Sequence, residues 1–174
     1  FINSITLYGG GEVWMLTVMN ELAARGYKVS FICKPEAEII KYPDNKSIDV
    51  LPLRIAGDFD PFTISQLTKI YKKRKIDIVI ANVGKDIRLG GLAAKFNSGV
   101  SVIALHQVDR EIKNNLRYRF TYNSLADMIV VNSLATKTTL LKSAPWLFDK
   151  KIKVVYHGID YQKYSSGNTI NLRN

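Results

Sequence analysis

Residues 8–32 read YGGGEVWMLTVMNELAARGYKVSFI, and the succession of patterns in this stretch indicates the fold class. Three glycines come first, and the apolar residues after them recur at helical spacing: Val13, Leu16, Met19, Leu22 and Ala23. Gly26 stands where a glycine commonly ends a helix, and residues 27–32 then form a short apolar run typical of a strand. The stretch therefore predicts a glycine loop, an amphipathic helix and a buried strand.

The same succession recurs along the chain. Short runs rich in Val and Ile are spaced by roughly 20 to 28 residues, as in βα units. These runs are 1–2, 27–32, 48–51, 76–80, 100–105, 128–131 and 152–156. We interpret the first run as the second half of a buried strand. Helical patterns lie between the runs; one closes at Gly99, and another is entered through Asn132-Ser133 as an N-cap.

This alternation predicts a Rossmann-like α/β fold, with a doubly wound, mostly parallel sheet and helices on both of its faces. Residues 1–160 are predicted to form one domain. Residues 161–174 are small and polar, and we interpret them as a hinge, linker or tail leading toward a C-terminal domain. Because the chain begins inside a predicted strand, we expect it to be part of a longer protein.

The composition excludes several classes of protein. Of the 174 residues, 47% are hydrophobic and 23% are charged, which excludes wholesale disorder and fibrous repeats. The net charge of +10 points to nucleic acid, an anionic membrane surface or an anionic small substrate as a partner. The single cysteine, Cys33, excludes an intramolecular disulfide and a cysteine-built zinc site, and it favours a reducing compartment.

Two clusters hold much of the positive charge. The first ends a predicted helix, where cations complement the helix dipole, and is interpreted as a solvated face: Lys69, Lys72, Lys73, Arg74 and Lys75. The second mixes cations with Leu116 and aromatic residues: Arg110, Lys113, Arg117 and Arg119. This mixture suits an anionic membrane or the entrance for an anionic substrate. Nucleic acid is disfavoured because no recognised nucleic-acid-binding signature is present.

Candidate binding residues follow the predicted strands, because open α/β sheets bind ligands beyond the carboxyl ends of their strands. Gly9, Gly10 and Gly11 would expose backbone N–H groups to an anion or a sugar; the alternative is a tight turn without a ligand. The run is not a dinucleotide fingerprint, because Trp14 occupies the position of the third glycine. It is not a phosphate-binding P-loop either, because no Gly-Lys-Ser or Gly-Lys-Thr occurs.

Both histidines of the chain lie at this predicted edge of the sheet. His106 is a candidate substrate contact or general base, with a cap of the next helix as the alternative. His157 lies in the exit from the last strand, where a turn is the alternative. The acidic residues Glu12 and Asp109 are further candidates; the alternative is that each only complements the dipole at a helix N-terminus. For Asp109 that helix is predicted near residue 110.

Taken together, these segments resemble the family 4 glycosyltransferases, which are retaining enzymes of the GT-B architecture with two facing Rossmann-like domains. The resemblance rests on residues 3–12, 22–29, 105–106, 126–133 and 154–160. The last of these resembles the family's Pro-Asn-Gly-Val/Ile-Asp exit from its N-terminal domain. Here Tyr156-His157 replaces Pro-Asn.

The resemblance implies roles for individual residues. His106 becomes the catalytic candidate, contacting the donor sugar with its backbone near the reacting centre. The implied substrate-binding positions are Gly9, Gly10, Gly11, Glu12, Arg110, Asn132 and Ser133. The hinge between domains begins at Gly158, Ile159 and Asp160. No metal and no other cofactor is implied, because basic side chains and helix N-termini hold the diphosphate in such enzymes.

The implied function is transfer of a hexosyl group, with retention, from a nucleotide-diphosphate sugar to a glycan or lipid-linked acceptor. The setting would be polysaccharide or glycolipid synthesis in the cytoplasm or on the inner face of the membrane. The family's paired glutamates belong to a C-terminal domain, and no two glutamates here have the required spacing. We therefore expect an acceptor-side half that is inactive alone. The alternatives are a Rossmann-like domain of a sugar-nucleotide epimerase, or a non-enzymatic basic module that binds nucleic acid or anionic lipid.

Overall fold

The computed structural model describes residues 1–42 and 46–158, and these residues form one α/β domain. Its strands are β1 (Ile2–Asn3), β2 (Val29–Cys33), β3 (Ile48–Pro52), β4 (Ile78–Ala81), β5 (Ser101–His106), β6 (Met128–Val131) and β7 (Ile152–Val154). Its α-helices are α1 (Gly10–Ala24), α2 (Pro61–Arg74), α3 (Gly84–Lys95), α4 (Leu116–Arg119) and α5 (Leu134–Ser143). Two short 3₁₀ turns (Glu38–Lys41 and Asp149–Lys151) and a π-helical turn (Phe120–Leu125) complete the described elements.

The sheet is parallel throughout the described residues, in the order β3-β2-β1-β4-β5-β6-β7. The predicted fold class is therefore confirmed, and so is the strand expected at the first residues. Although β1 is short, it lies near the middle of the sheet, with Ile2 in register with Ile32 of β2 and Ala81 of β4. The strand order reverses between β1 and β4, and this reversal opens a crevice at the carboxyl edge of the sheet.

Helices cover both faces of the sheet, as the alternation of side chains along β2 requires. Phe31 packs in one apolar cluster with Met15 and Met19 of α1. Its neighbour Ile32 packs on the opposite face in a cluster with Leu67 of α2 and residues of α3. A third cluster joins α3, the π-helical turn and α5 over β6.

The helix ends follow the predicted signals. Gly26, after α1, and Gly99, after α3, have φ values of +85° and +88°, a conformation that favours glycine. Ser133 caps α5, as predicted, because its Oγ accepts a hydrogen bond from the Thr136 N–H at 3.0 Å. The basic cluster Lys72, Lys73 and Arg74 forms the last turn of α2, also as predicted.

Two local predictions are wrong. Residues 107–115 contain no helix, so the helix predicted near residue 110 begins only at Leu116. In its place a tight turn joins Arg110 N to Val108 O at 2.8 Å. The last strand also ends at Val154, short of the predicted position 156. Within the described ranges no helix is long and apolar enough to cross a bilayer. The predicted linker, residues 161–174, lies outside the described residues.

Candidate functional site

The carboxyl ends of β1, β4, β5 and β6 bring most of the sequence-predicted site residues to one edge of the sheet. The glycine run follows β1, His106 ends β5, and Asn132 and Ser133 follow β6. Because these strands are adjacent and parallel, the segments that leave them line the crevice side by side.

The glycine run differs from the predicted loop in one respect, because only Gly9 precedes α1 and the other two glycines form its first turn. Gly9 is the N-cap residue, and the first helical hydrogen bond runs from Val13 N to Gly9 O at 3.0 Å. The N–H groups of Gly10 and Gly11 are therefore among those that have no helical acceptor. Among the described residues, a Cβ at either position would have no neighbour within 4 Å outside the helix's own backbone, so there is room beside these two glycines.

Glu12 points inward and shapes the turn before α1. Its side chain is buried, and Oε1 accepts hydrogen bonds from Asn3 Nδ2 at 3.0 Å and from Asn82 Nδ2 at 3.4 Å. Its Oε2 accepts from the Gly9 N–H at 3.1 Å. The carboxylate thus links β1, the residue after β4 and the glycine run, which makes it a support of the site.

Asp86 is a buried carboxyl group that sequence reasoning did not select. It lies in the first turn of α3 and its Oδ2 accepts from the Ser4 N–H at 3.1 Å, so it joins α3 to the residue after β1. Its Oδ1 is buried and has no hydrogen-bond partner among the residues that the structure describes. Burial raises the pKa of the Asp86 carboxyl to about 6. The sequence does give one signal for Asp86 as a site residue, which is its position after β4, four residues beyond Asn82.

His106 contacts two other elements through its imidazole ring. Its Nε2 lies 3.2 Å from the carbonyl oxygen of Arg110, and its Nδ1 lies 3.5 Å from the Tyr122 hydroxyl of the π-helical turn. The two rings meet edge to face, with centroids 6.4 Å apart. Burial lowers the pKa of His106, so the neutral imidazole is favoured at neutral pH.

The loop that follows β5, residues 107–110, is held from two sides. His106 contacts the Arg110 carbonyl, and Asn132 Nδ2 donates to the Gln107 carbonyl at 2.7 Å. The Asn132 Oδ1 accepts from the Thr136 hydroxyl at 2.8 Å. The predicted site residues His106 and Asn132 therefore both hold this loop in place. The third predicted residue here, Arg110, is exposed on the loop.

A second group that sequence reasoning missed supports the π-helical turn. Arg88 of α3 is buried, and its Nη2 pairs with Asp58 Oδ1 at 2.5 Å. Its Nη1 donates to Thr121 Oγ1 at 3.2 Å. Asp58 also pairs with Arg117, so one carboxylate joins α3 to α4. No local pattern reveals this pairing, because Arg88 and Asp58 are 30 positions apart.

The exit from β7 returns toward the glycine run. The ring of His157 stacks on Trp14 of α1, with centroids 5.1 Å apart and planes inclined by 23°. Both histidines therefore lie at the crevice edge, although in different contacts. Of the predicted hinge residues, Gly158 is the last described residue, and Ile159 and Asp160 lie outside the described range.

The chemistry available at this edge is that of an anion or sugar site. At the edge formed by the described residues, the N-terminus of α1 and the exposed Arg110 lie beside the imidazole of His106. The two ring nitrogens of His106 contact the Arg110 carbonyl and the Tyr122 hydroxyl. In residues 1–42 and 46–158 no group of three His, Cys, Asp or Glu side chains is placed to hold a metal ion. A pocket of about 470 Å³ lies at the other end of the sheet, between the ends of α2 and α3, and does not contact these residues.

Comparison with known proteins gives the family. Residues 8–163 match the family model described as Glycosyltransferase Family 4. No curated protein sequence gives a significant match.

Solved structures share the fold at low sequence identity. A glycosyltransferase from Rickettsia africae ESF-5 is 20% identical, with a TM-score of 0.74 over 91% of this chain and 42% of the other. Alr3699/HepE from Anabaena, in complex with UDP and glucose, is 16% identical, with a TM-score of 0.70 over 94% and 45%. A UDP-N-acetylglucosamine 2-epimerase is 18% identical, with a TM-score of 0.56 over 88% and 46%.

This chain thus spans less than half the length of these solved structures. The match to the family model, by contrast, covers most of the chain, and it includes the glycine run, His106 and the segment after β6. On that match, this chain belongs to glycosyltransferase family 4.

Proposed function

We propose that this chain is the N-terminal, acceptor-side domain of a retaining glycosyltransferase that uses a nucleotide-diphosphate sugar. One observation carries the proposal: the N-terminus of α1, where the described residues leave room beside Gly10 and Gly11, lies on the same sheet edge as His106. Such an edge suits the negative charge that develops on the departing diphosphate during glycosyl transfer. The UDP and glucose named for the Anabaena structure accord with this class of donor.

In this proposal each residue of the edge has a defined task. The N–H groups of Gly10 and Gly11 approach the donor phosphates and the acceptor, and the exposed Arg110 contributes positive charge. His106 contacts the donor sugar, while Asn132 and Ser133 lie at the border of the acceptor site. These groups bind anions without a metal ion, so the proposed reaction needs no further cofactor.

The missing part of the proposed enzyme is a second domain. This chain covers 42% of the Rickettsia structure and 45% of the Anabaena structure, which leaves room for a C-terminal half. That half would hold the nucleotide and the paired glutamates, with a hinge at Gly158, Ile159 and Asp160. We therefore propose that residues 1–174 alone do not transfer sugar.

The acceptor is proposed to be a glycan or a lipid-linked sugar, met in the cytoplasm or at the inner face of the membrane. The segment after His106 supports this, because Val108 and Leu116 are exposed by 63% and 80%. Lys113 and Arg119 are exposed on the same segment. Exposed apolar side chains beside cations are suited to an anionic lipid surface.

The experiment uses the protein extended through its C-terminal domain and a panel of nucleotide-diphosphate sugars. We expect release of the nucleoside diphosphate and transfer of the sugar with retention. Gly11→Ala should lower kcat/KM by roughly ten-fold or more, because a methyl group would occupy space that the ligand needs. Gly57→Ala is the matched control, since a Cβ there also meets no atom within 4 Å. His106→Ala should lower turnover severely without unfolding the domain.

Other outcomes would replace the proposal. Conversion of the sugar nucleotide to its epimer without transfer would favour the epimerase alternative, whose fold is shared at a TM-score of 0.56. Tight binding to DNA that weakens steeply with salt would favour a nucleic-acid-binding module. If Gly11→Ala kept the wild-type kcat/KM, the glycine run would not be part of the proposed site.

A further inference from the structure

The hydrogen bonds of His106 define which of its ring nitrogens carries the proton. Nε2 lies 3.2 Å from the Arg110 carbonyl oxygen. A carbonyl oxygen only accepts hydrogen bonds, so Nε2 must be the donor. In the neutral ring Nδ1 is then an acceptor, and its partner at 3.5 Å is the hydroxyl of Tyr122, which can donate.

Tyr122 is placed to remain a donor. It is only 4% exposed, and burial raises the pKa of its hydroxyl to about 12, so the proton stays on the oxygen at neutral pH. Burial also lowers the pKa of His106, so a neutral imidazole meets a neutral phenol. The charged groups that face this pair are Asp109 and Arg110 from the loop and Arg88 from α3; Tyr118 is the other titratable neighbour.

Other contacts hold Tyr122 without help from His106. Its ring stacks on Tyr118 of α4, with centroids 6.5 Å apart and planes inclined by 13°. The preceding residue, Thr121, accepts from buried Arg88 and donates to the Arg117 carbonyl at 2.7 Å. The π-helical turn is therefore anchored to α3 through its neighbour, and the hydroxyl reaches His106 from a fixed frame.

We propose that Tyr122 is a positioning residue that holds His106 as the Nε2–H tautomer and thereby fixes the loop 107–110 at the edge of the crevice. Donation from Tyr122 to Nδ1 leaves the Nε2 hydrogen to the Arg110 carbonyl, and Asn132 holds the Gln107 carbonyl at the start of the same loop. The effect on sugar transfer rests on the proposed function, whereas the tautomer itself does not.

The first test reads the tautomer in the 174-residue chain by long-range ¹H–¹⁵N correlation of the imidazole rings. The chain has two histidines, so His157→Asn assigns the spectrum. We expect His106 to be in the Nε2–H form above the midpoint of its titration. An Nδ1–H form, or an equal mixture of the two, would overturn the proposal without any variant of Tyr122.

The second test removes the donor. Tyr122→Phe should weaken the preference for the Nε2–H tautomer, which then rests on the Arg110 carbonyl alone. It should also raise the titration midpoint of His106 by roughly 0.5 to 1 pH unit, because the neutral ring loses a hydrogen bond that favours it. Tyr118→Phe is the control, since it leaves both partners of the His106 ring in place. An unchanged His106 spectrum in a folded Tyr122→Phe chain would contradict the proposal.

The third test uses the extended enzyme and separates this proposal from the proposed function. Tyr122→Phe should lower kcat by roughly ten-fold with little change in KM, while Tyr118→Phe changes neither. If no nucleotide sugar is turned over but the tautomer is Nε2–H, the proposed function fails and the positioning role stands. If transfer proceeds with retention at an undiminished kcat in Tyr122→Phe, the positioning role fails and the proposed function stands.

Discussion

Three N–H donors surround the Glu12 carboxylate, at 3.0, 3.1 and 3.4 Å. The residue at position 12 must therefore supply acceptor oxygens for all three. Two donors come from Asn3 and Asn82 and share one oxygen, and Gly9 N–H uses the other. A group with two acceptor oxygens satisfies all three. A buried donor that loses its acceptor costs much more free energy than an ordinary hydrogen bond contributes.

Glu12→Gln tests whether position 12 requires two acceptor oxygens. One oxygen is replaced by an NH₂ group, so a donor faces a donor, and we expect the free energy of unfolding to fall by about 1 to 3 kcal/mol. Urea denaturation of the 174-residue chain measures it. Glu21→Gln, on an exposed residue of α1 that pairs with Arg25 at 3.6 Å, should change stability by less than about 0.5 kcal/mol. If both variants lost the same free energy of unfolding, the Glu12 hydrogen bonds would contribute no more to stability than the exposed Glu21–Arg25 pair.

At the scale of elements, α3 supports the site through three of its residues. Its first turn holds Asp86, its middle holds Arg88, and Gly91 lies against the end of the π-helical turn. A Cβ at Gly91 would lie 2.7 Å from the Cβ of Leu125 and 3.1 Å from its carbonyl oxygen. The glycine thus allows two backbones to approach closely, which puts Tyr122 within reach of His106.

Gly91→Ala should therefore destabilise the domain although alanine favours a helix by about 1 kcal/mol over glycine. Overpacking against backbone commonly costs about 1 to 3 kcal/mol, so we expect a net loss of stability and a shift of the His106 signals. Gly11→Ala, in open space at the start of α1, should leave the unfolding free energy unchanged or slightly raised. The urea midpoints of the two variants are compared with that of the wild type. A Gly91→Ala midpoint at or above the wild-type value would contradict the prediction, because α3 would then have moved away from the π-helical turn without cost.

At the scale of the whole molecule, the sequence predicted what depends on local periodicity. The central strands and helices α1, α3 and α5 follow apolar spacing and end signals such as Gly26 and Gly99, which act within a few residues. Their order implied the parallel sheet, and hence the edge where the glycine run and His106 meet.

Contacts between distant segments could not be predicted in this way. Residues 107–125 mix cations and aromatic residues without a clear period, so the irregular loop and the π-helical turn were missed. Their geometry depends on Arg88, which reaches Asp58 across 30 positions and Thr121 across 33. The inward direction of the Glu12 side chain depends likewise on Asn82, 70 positions away.

The buried Asp86 carboxyl gives the whole domain a pH-dependent stability. Its pKa is about 6 in the folded chain against 3.8 for an ordinary aspartate, so between these values the folded chain keeps a proton that the unfolded chain has lost. The favourable contribution is complete below pH 4 and is lost as the pH rises through 6, a change of about 3 kcal/mol. Asp86→Asn retains an acceptor for the Ser4 N–H but cannot ionise. Its unfolding free energy, minus that of the wild type, should therefore rise between pH 4 and pH 7.

Urea denaturation at a series of pH values measures this difference, and Asp60→Asn supplies a control of opposite sign. Hydrogen bonds from Thr63 hold the pKa of the half-buried Asp60 carboxyl below its usual range. Its contribution is therefore present above the ordinary aspartate pKa and is lost as the pH falls. Asp60→Asn should lose most stability, relative to wild type, at neutral pH and approach wild type in acid. A constant difference between Asp86→Asn and wild type across this range would mean that the Asp86 carboxyl titrates alike in the folded and unfolded chains.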